Sequence, residues 1–341
     1  MSQSAEISKK RNVPLTPFVP PFGLKNAHFQ TILSSQGPRK RNRDKRFSRF
    51  QSKQRSLMLN GGSGVRLEGY YNRVKESIAD RLVILIHGWE GSHESTYMKS
   101  MAATMLQNGY DVFRLNMRDH GETHHLNREV FNSTMIEEVM CAIEDLQARF
   151  DYRSTSLIGF SLGGNFSLRV AANAHDKNIE LEQVIAFCPV VHAAQSNVVL
   201  NEKRNSLYGK YFVKKWRTSL RKKLEHWPEF EFGDELERFK TLDEMNNALI
   251  PKYTGFTELS SYFDAYAIDG DKLAKTICPC YLHFARDDMI IPVEGASMMA
   301  DNTDLHVTIT DHGGHCGFIM NWQGDSWQDV RALEIIQHSS S

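Results

Sequence analysis

Gly159-Phe160-Ser161-Leu162-Gly163-Gly164 is a G-x-S-x-G run that closes the apolar stretch Thr155–Phe160 and opens a helical pattern reaching about Ala174. A serine held in a tight strand-to-helix turn needs neighbours without side chains, and Gly159 and Gly163 supply them. The expected geometry is a Ser161 hydroxyl above the C-terminal edge of a sheet. The helix N-terminus behind it would offer N–H donors and a field favourable to negative charge. An ordinary glycine-rich turn would explain the glycines alone; the strand before and the helix after favour a nucleophile.

The pattern on either side repeats this unit. Leu82–Ile86, Asp111–Leu115 and Val184–Phe187 read as buried strands. Tyr97, Met101 and Met105 mark a helix ending at Asn108-Gly109, and Ile136, Val139, Ile143 and Leu146 mark another. Strand-helix alternation implies right-handed crossovers and an α/β fold, a doubly wound, mostly parallel sheet. Ahead of it, Leu57–Leu59, the turn Asn60-Gly61-Gly62-Ser63-Gly64 and the alternation from Val65 to Leu67 predict an antiparallel hairpin. The alternation stops after Pro189 and resumes with Tyr281–Ala285, Leu305–Ile309 and a last helix carrying Trp327, Val330, Leu333 and Ile336. Residues 57–190 and 271–341 are therefore assigned to the core, and 191–270 to an inserted helical cap. Within the cap, Leu207, Tyr211, Leu220, Leu224 and Trp227 suggest an apolar helical stripe, with lysines and arginines including Lys222 and Lys223 on the other faces.

A serine needs a base. Asp311-His312-Gly313-Gly314-His315-Cys316-Gly317 follows the last strand and reaches the same sheet edge as Ser161. His315 is preferred because Gly313-Gly314 lets the loop turn its ring inward; His312 is the alternative. The orienting acid is sought after the preceding strand, at Ala285-Arg286-Asp287-Asp288. Asp288, four residues before Pro292, is preferred over Asp287. His87-Gly88-Trp89-Glu90-Gly91-Ser92 follows strand Leu82–Ile86, and the backbone N–H groups of Trp89 and Leu162 are the expected oxyanion donors. His87 is read as structural. The order Ser161, Asp288, His315 along the chain differs from those of the chymotrypsin and subtilisin types. The base should titrate near pH ~6–7.

Composition narrows the class. Hydrophobic residues make up 41% of 341, enough for a sizeable core, which excludes global disorder. Lys plus Arg equals Asp plus Glu at 41 each, without the basic excess of a nucleic-acid binder. Five cysteines do not make a disulfide scaffold and suit free thiols in a reducing compartment. Asp119-His120-Gly121-Glu122-Thr123-His124-His125 and Cys278-Pro279-Cys280 match no zinc spacing, so no metal is expected. The first run reads as a loop bordering the pocket. Cys316 is read as packing, with a site sensitive to thiol reagents.

Residues 1–56 stand apart and are read as an extended N-terminal segment with a basic stretch. Four prolines in 13–23 predict an extended segment, and positions 39–55 carry nine Lys or Arg against Asp44 alone. That run is read as a solvated loop, with a patch for anionic lipid head groups as the sharper alternative. No apolar leader and no long apolar run occur, so a cytoplasmic protein is expected, peripheral membrane contact remaining open.

These residues resemble a known family. Asn26-Ala27-His28-Phe29-Gln30-Thr31-Ile32 is similar to the NPHLQTI signature, His87–Ser92 to HGLEGS, Phe160–Asn165 to FSLGGN, and Gly313–Phe318 to GGHxGF, all of the YheT-like and phospholipase-type α/β-hydrolases. Thr254-Gly255-Phe256 and Ser261-Tyr262-Phe263 resemble positions of its inserted region. Ala27, Trp89 and Asn246 depart from the signature's proline, leucine and aspartate. The resemblance implies the α/β-hydrolase fold, ester hydrolysis on short to medium acyl chains and no cofactor. The expected partner is a small-molecule or lipid ester rather than nucleic acid. Cap aromatics Tyr208, Tyr211, Phe212 and Trp216 would line an acyl pocket or simply pack. Lipase, phospholipase, thioesterase or acyltransferase chemistry uses the same residues, and a non-catalytic binding role on this fold is the alternative from another class.

Overall fold

Strands covered on both faces must be apolar throughout, and the central strands here are. Arg81–Ile86 (β3), Asp111–Leu115 (β4), Ser154–Phe160 (β5), Gln183–Phe187 (β6) and Cys280–Ala285 (β7) are buried along nearly their whole length. The computed structural model describes residues 16–75 and 79–339. Its sheet has eight strands in the order β1-β2-β4-β3-β5-β6-β7-β8, where β1 is Gln54–Asn60, β2 is Arg66–Asn72 and β8 is Leu305–Thr310. β1 and β2 form the expected hairpin, β2 pairs antiparallel with β4, and the remaining pairs are parallel. Helices Ile136–Arg149 (α4) and Leu162–Asn173 (α5) cover one face through Val139, Ile143, Leu146 and Phe166. Thr96–Gln107 (α3) and Trp327–Ser339 (α10) cover the other through Met101, Met105, Trp327 and Ile335. Loops after β3, β5, β7 and β8 therefore open at one rim.

Between β6 and β7 lie four helices: Ala193–Asn201 (α6), Ser206–His226 (α7), Leu242–Tyr253 (α8) and Leu259–Tyr266 (α9). On α7 the buried stripe is Tyr208, Val213, Trp216 and Leu220, whereas Leu207 and Tyr211 are 60% and 50% exposed. The stripe expected from sequence is rotated, because a polar partner pulls a lysine inward. Lys223, assigned to the solvated basic face, is 1% exposed. Its ammonium donates to Asp119 at 2.8 Å and to the carbonyl oxygens of Asn127 and Glu129 at 2.5 and 3.2 Å. One charge thus pins the 119–129 loop to α7, the longest helix between β6 and β7. Lys223→Met leaves Asp119 buried without its counter-charge and is expected to lower the unfolding free energy by about 3–5 kcal/mol in urea titration. Adding Asp119→Asn should recover part of that loss.

The reading of residues 1–56 as extended needs correction. Residues 1–15 lie outside the described residues. Beyond them, Ala27–Leu33 (α1) and Gly37–Gln51 (α2) are helices. The Asn26 side chain caps α1 by accepting from the N–H groups of His28 and Phe29. α2 packs on α3, and its inward face carries Arg39, Arg43 and Phe47 at i, i+4, i+8. Arg39 donates to the carbonyl oxygens of Ser34 and Gly324, Arg43 to Asp325, and Arg114 stacks on Phe47 at 4.4 Å. An inward face made of arginines has no apolar periodicity, which is why the run reads as a loop. Among the described residues no helix is long and apolar enough to cross a membrane.

Candidate active site

Ser161 sits between β5 and α5 with φ +53°, in the left-handed region, its N–H donating to Phe187 O at 2.8 Å. The turn closes only because two neighbours lack Cβ atoms. A Cβ on Gly159 would lie 2.2 Å from Gly163 O, and one on Gly163 would lie 2.3 Å from both Ile86 O and His87 O. Leu162 is the first residue of α5, so its N–H has no partner within the helix.

Three further loops converge on the hydroxyl. His315 Nε2 lies 2.9 Å from Ser161 Oγ, and His315 Nδ1 lies 2.8 Å from Asp288 Oδ2. The Asp288 side chain is 2% exposed, and its other oxygen accepts from the N–H groups of Ile290 and Ile291 at 2.8 and 3.0 Å. Those donors fix the carboxylate plane. Asp287 points elsewhere: it accepts from Gly314 N at 2.8 Å and stands 3.5 Å from His312 Nδ1, bracing the loop. Burial opposes a charge on His315, but the adjoining Asp288 carboxylate outweighs it and pushes the imidazole up to about 9. This corrects the lower value expected from sequence, which took no account of a carboxylate in direct contact.

On the far side, the loop after β3 is stitched in place. Gly88 N donates to Tyr97 OH at 3.0 Å, and Met117 N donates to His87 Nε2 at 3.2 Å. Burial pushes His87 well below its usual value, so it serves as a neutral acceptor. Glu90 holds φ +56°, and burial, partly countered by Lys215, raises its carboxyl to about 8.

Ser161 and His315 open into a cavity of about 690 Å³. Trp89, Phe212, Trp216, Leu242, Ile250 and Phe263 are apolar residues of its lining. Trp89 stacks on Phe212 and meets Trp216 edge-on, both at 5.4 Å between ring centres. Tyr208, Tyr211 and Leu162 also line it. Ser34, Gln36, Lys40 and Glu94 add polar groups to the lining. The 119–125 run does not line this cavity; from its loop Phe131–Ser133 do, while Asp119 and His120 border a much smaller one.

Residues 81–189 match the family described as alpha/beta hydrolase fold. The putative esterase YheT of Escherichia coli is 24% identical over 317 residues, covering 89% of this chain and 87% of that protein. A putative esterase of Synechocystis is 23% identical, covering 84% and 85%. An esterase of Pyrococcus furiosus superposes with a TM-score of 0.58 at 16% identity, covering 87% of this chain and 94% of that one. The chain has the α/β-hydrolase fold.

Two residues of the Asn26–Ile32 motif hold the histidine loop. Gln30, wholly buried, accepts from Ile319 N at 2.6 Å and donates to Leu24 O at 2.7 Å. Thr31 Oγ1 accepts from His315 N at 2.9 Å. α1 also approaches so closely that a Cβ on Gly314 would lie 2.5 Å from Ala27 O. His28 Nδ1 reaches Tyr208 OH at 2.9 Å, tying α1 to α7. The signal was the Asn26–Ile32 motif itself, whose role no spacing argument revealed.

Proposed function

We infer that the protein is a serine hydrolase cleaving carboxylic esters with short- to medium-chain acyl groups. One observation carries the reading: the unbroken hydrogen-bond relay Ser161–His315–Asp288 opening into a cavity lined by both apolar and polar side chains. His315 Nε2 takes the Ser161 proton as Oγ attacks the ester carbonyl. Asp288, held by two backbone donors, keeps Nδ1 protonated and stabilises the imidazolium. The N–H groups of Trp89 and Leu162 receive the developing oxyanion. The alcohol leaves with the proton from His315, and water, activated by the same ring, hydrolyses the acyl-enzyme. The acyl chain lies against Trp89, Phe212 and Trp216, and the alcohol meets the polar lining residues.

A p-nitrophenyl ester series from acetate to palmitate tests this. Turnover should peak among the shorter chains and fall with the longest, since about 690 Å³ must hold both halves of the ester. Absence of turnover across the whole series, from folded protein, would overturn the reading.

A further inference from the structure

The histidine of the relay also belongs to a second constellation. Cys188 Sγ, Cys316 Sγ and a ring nitrogen of His315 all lie within 4.8 Å of one another. Both thiols are buried, but Cys316 lines the main cavity, so the cluster is reached from the substrate side. Backbone geometry drives the two sulfurs together. Cys188 and Cys316 adopt φ +45° and +52°, a region non-glycine residues avoid. Cys316 N donates to Cys188 Sγ at 3.4 Å, the Cys188 thiol donates to Gly314 O at 3.8 Å, and the Cys316 thiol donates to Phe187 O at 3.6 Å.

We propose that Cys188, Cys316 and His315 form an inhibitory site for a soft divalent cation, Zn²⁺ in particular. Two thiolates and one imidazole are a zinc donor set, and three protein ligands leave a fourth position for water from the cavity. The balance is simple. Each thiol releases its proton to solvent as it binds, so two thiolate charges offset the two positive charges of the ion, and the buried site stays neutral. The ring lone pair that binds the metal is then lost to the relay. Whichever nitrogen is used, the bond to Ser161 or the bond to Asp288 is broken. No spacing signal points to this site. The cysteines are 128 residues apart and come together only where β6 and the loop after β8 end at one rim.

The inhibitory consequence rests on the ester-hydrolysis reading; the binding site does not, and two measurements separate them. Near-stoichiometric Zn²⁺ should abolish p-nitrophenyl ester turnover, Mg²⁺ should not, and a chelator should restore it. Cys188→Ser, which removes a ligand that does not line the cavity, should raise the half-inhibiting Zn²⁺ concentration by at least about tenfold. Independently of activity, Co²⁺ added to the full chain should give near-ultraviolet thiolate charge-transfer absorption that disappears in Cys188→Ser and in Cys316→Ser. Equal Zn²⁺ sensitivity in wild type and Cys188→Ser would place the inhibition on surface histidines and overturn the proposal. So would an absence of thiolate absorption with Co²⁺.

Discussion

Ser161→Ala should reduce p-nitrophenyl ester turnover by about 10⁶-fold and abolish labelling by a fluorophosphonate probe. The size of the effect follows from the division of labour at the site. With the hydroxyl gone, His315 and Asp288 have no nucleophile to activate, and only the backbone donors and cavity remain to act on a bound ester. The substitution also asks little of the fold. Alanine keeps the Cβ that the turn already accommodates at φ +53°, and the Ser161 N–H bond to Phe187 is untouched. Thermal unfolding should therefore match wild type, which separates lost chemistry from lost structure. Persistent fluorophosphonate labelling at another serine would remove Ser161 from the scheme.

The residues that make the candidate site legible in sequence are those whose chemistry demands a rare local shape. A serine flanked by Gly159 and Gly163 after an apolar strand announces a turn in which side chains cannot fit, and the 2.2–2.3 Å approaches to Gly163 O, Ile86 O and His87 O are the reason. Strand alternation is equally visible, because buried parallel strands tolerate little except apolar residues. What escaped is burial of charge. Arg39, Arg43 and Lys223 look like solvent-facing residues until carbonyl oxygens and carboxylates from segments about 100 to 285 residues away are brought to them. Nor could spacing show that Gln30 and Thr31 hold the His315 loop. Both act through partners more than 280 positions distant. The same applies to Cys188 and Cys316, whose proximity is a product of strand order. Local pattern thus revealed the scaffold and the elbow, whereas the bracing of the histidine depended on topology.

Asp288→Asn should lower kcat by about 10⁴-fold and move the pH profile, and the second effect distinguishes positioning from simple damage. In the wild type His315 is pushed up to about 9. The base works only as neutral imidazole, so kcat/KM should climb with pH as His315 loses its proton, instead of levelling off near neutrality. Removing the Asp288 charge removes the main force opposing burial, and the ascending limb should then move down to or below the ordinary histidine value of about 6.5. Stability follows the opposite sign. A folded pKa raised above the unfolded value contributes stability that is complete below about 6.5 and is lost as pH rises toward about 9. Across that window the wild type should gain activity while losing unfolding free energy. Asp288→Asn should show neither trend, because its imidazole is neutral in the folded state throughout. An unshifted pH limb in Asp288→Asn, with the rate still reduced, would mean that the carboxylate does not set the proton affinity of His315, and Asp288 would lose its role as the orienting acid.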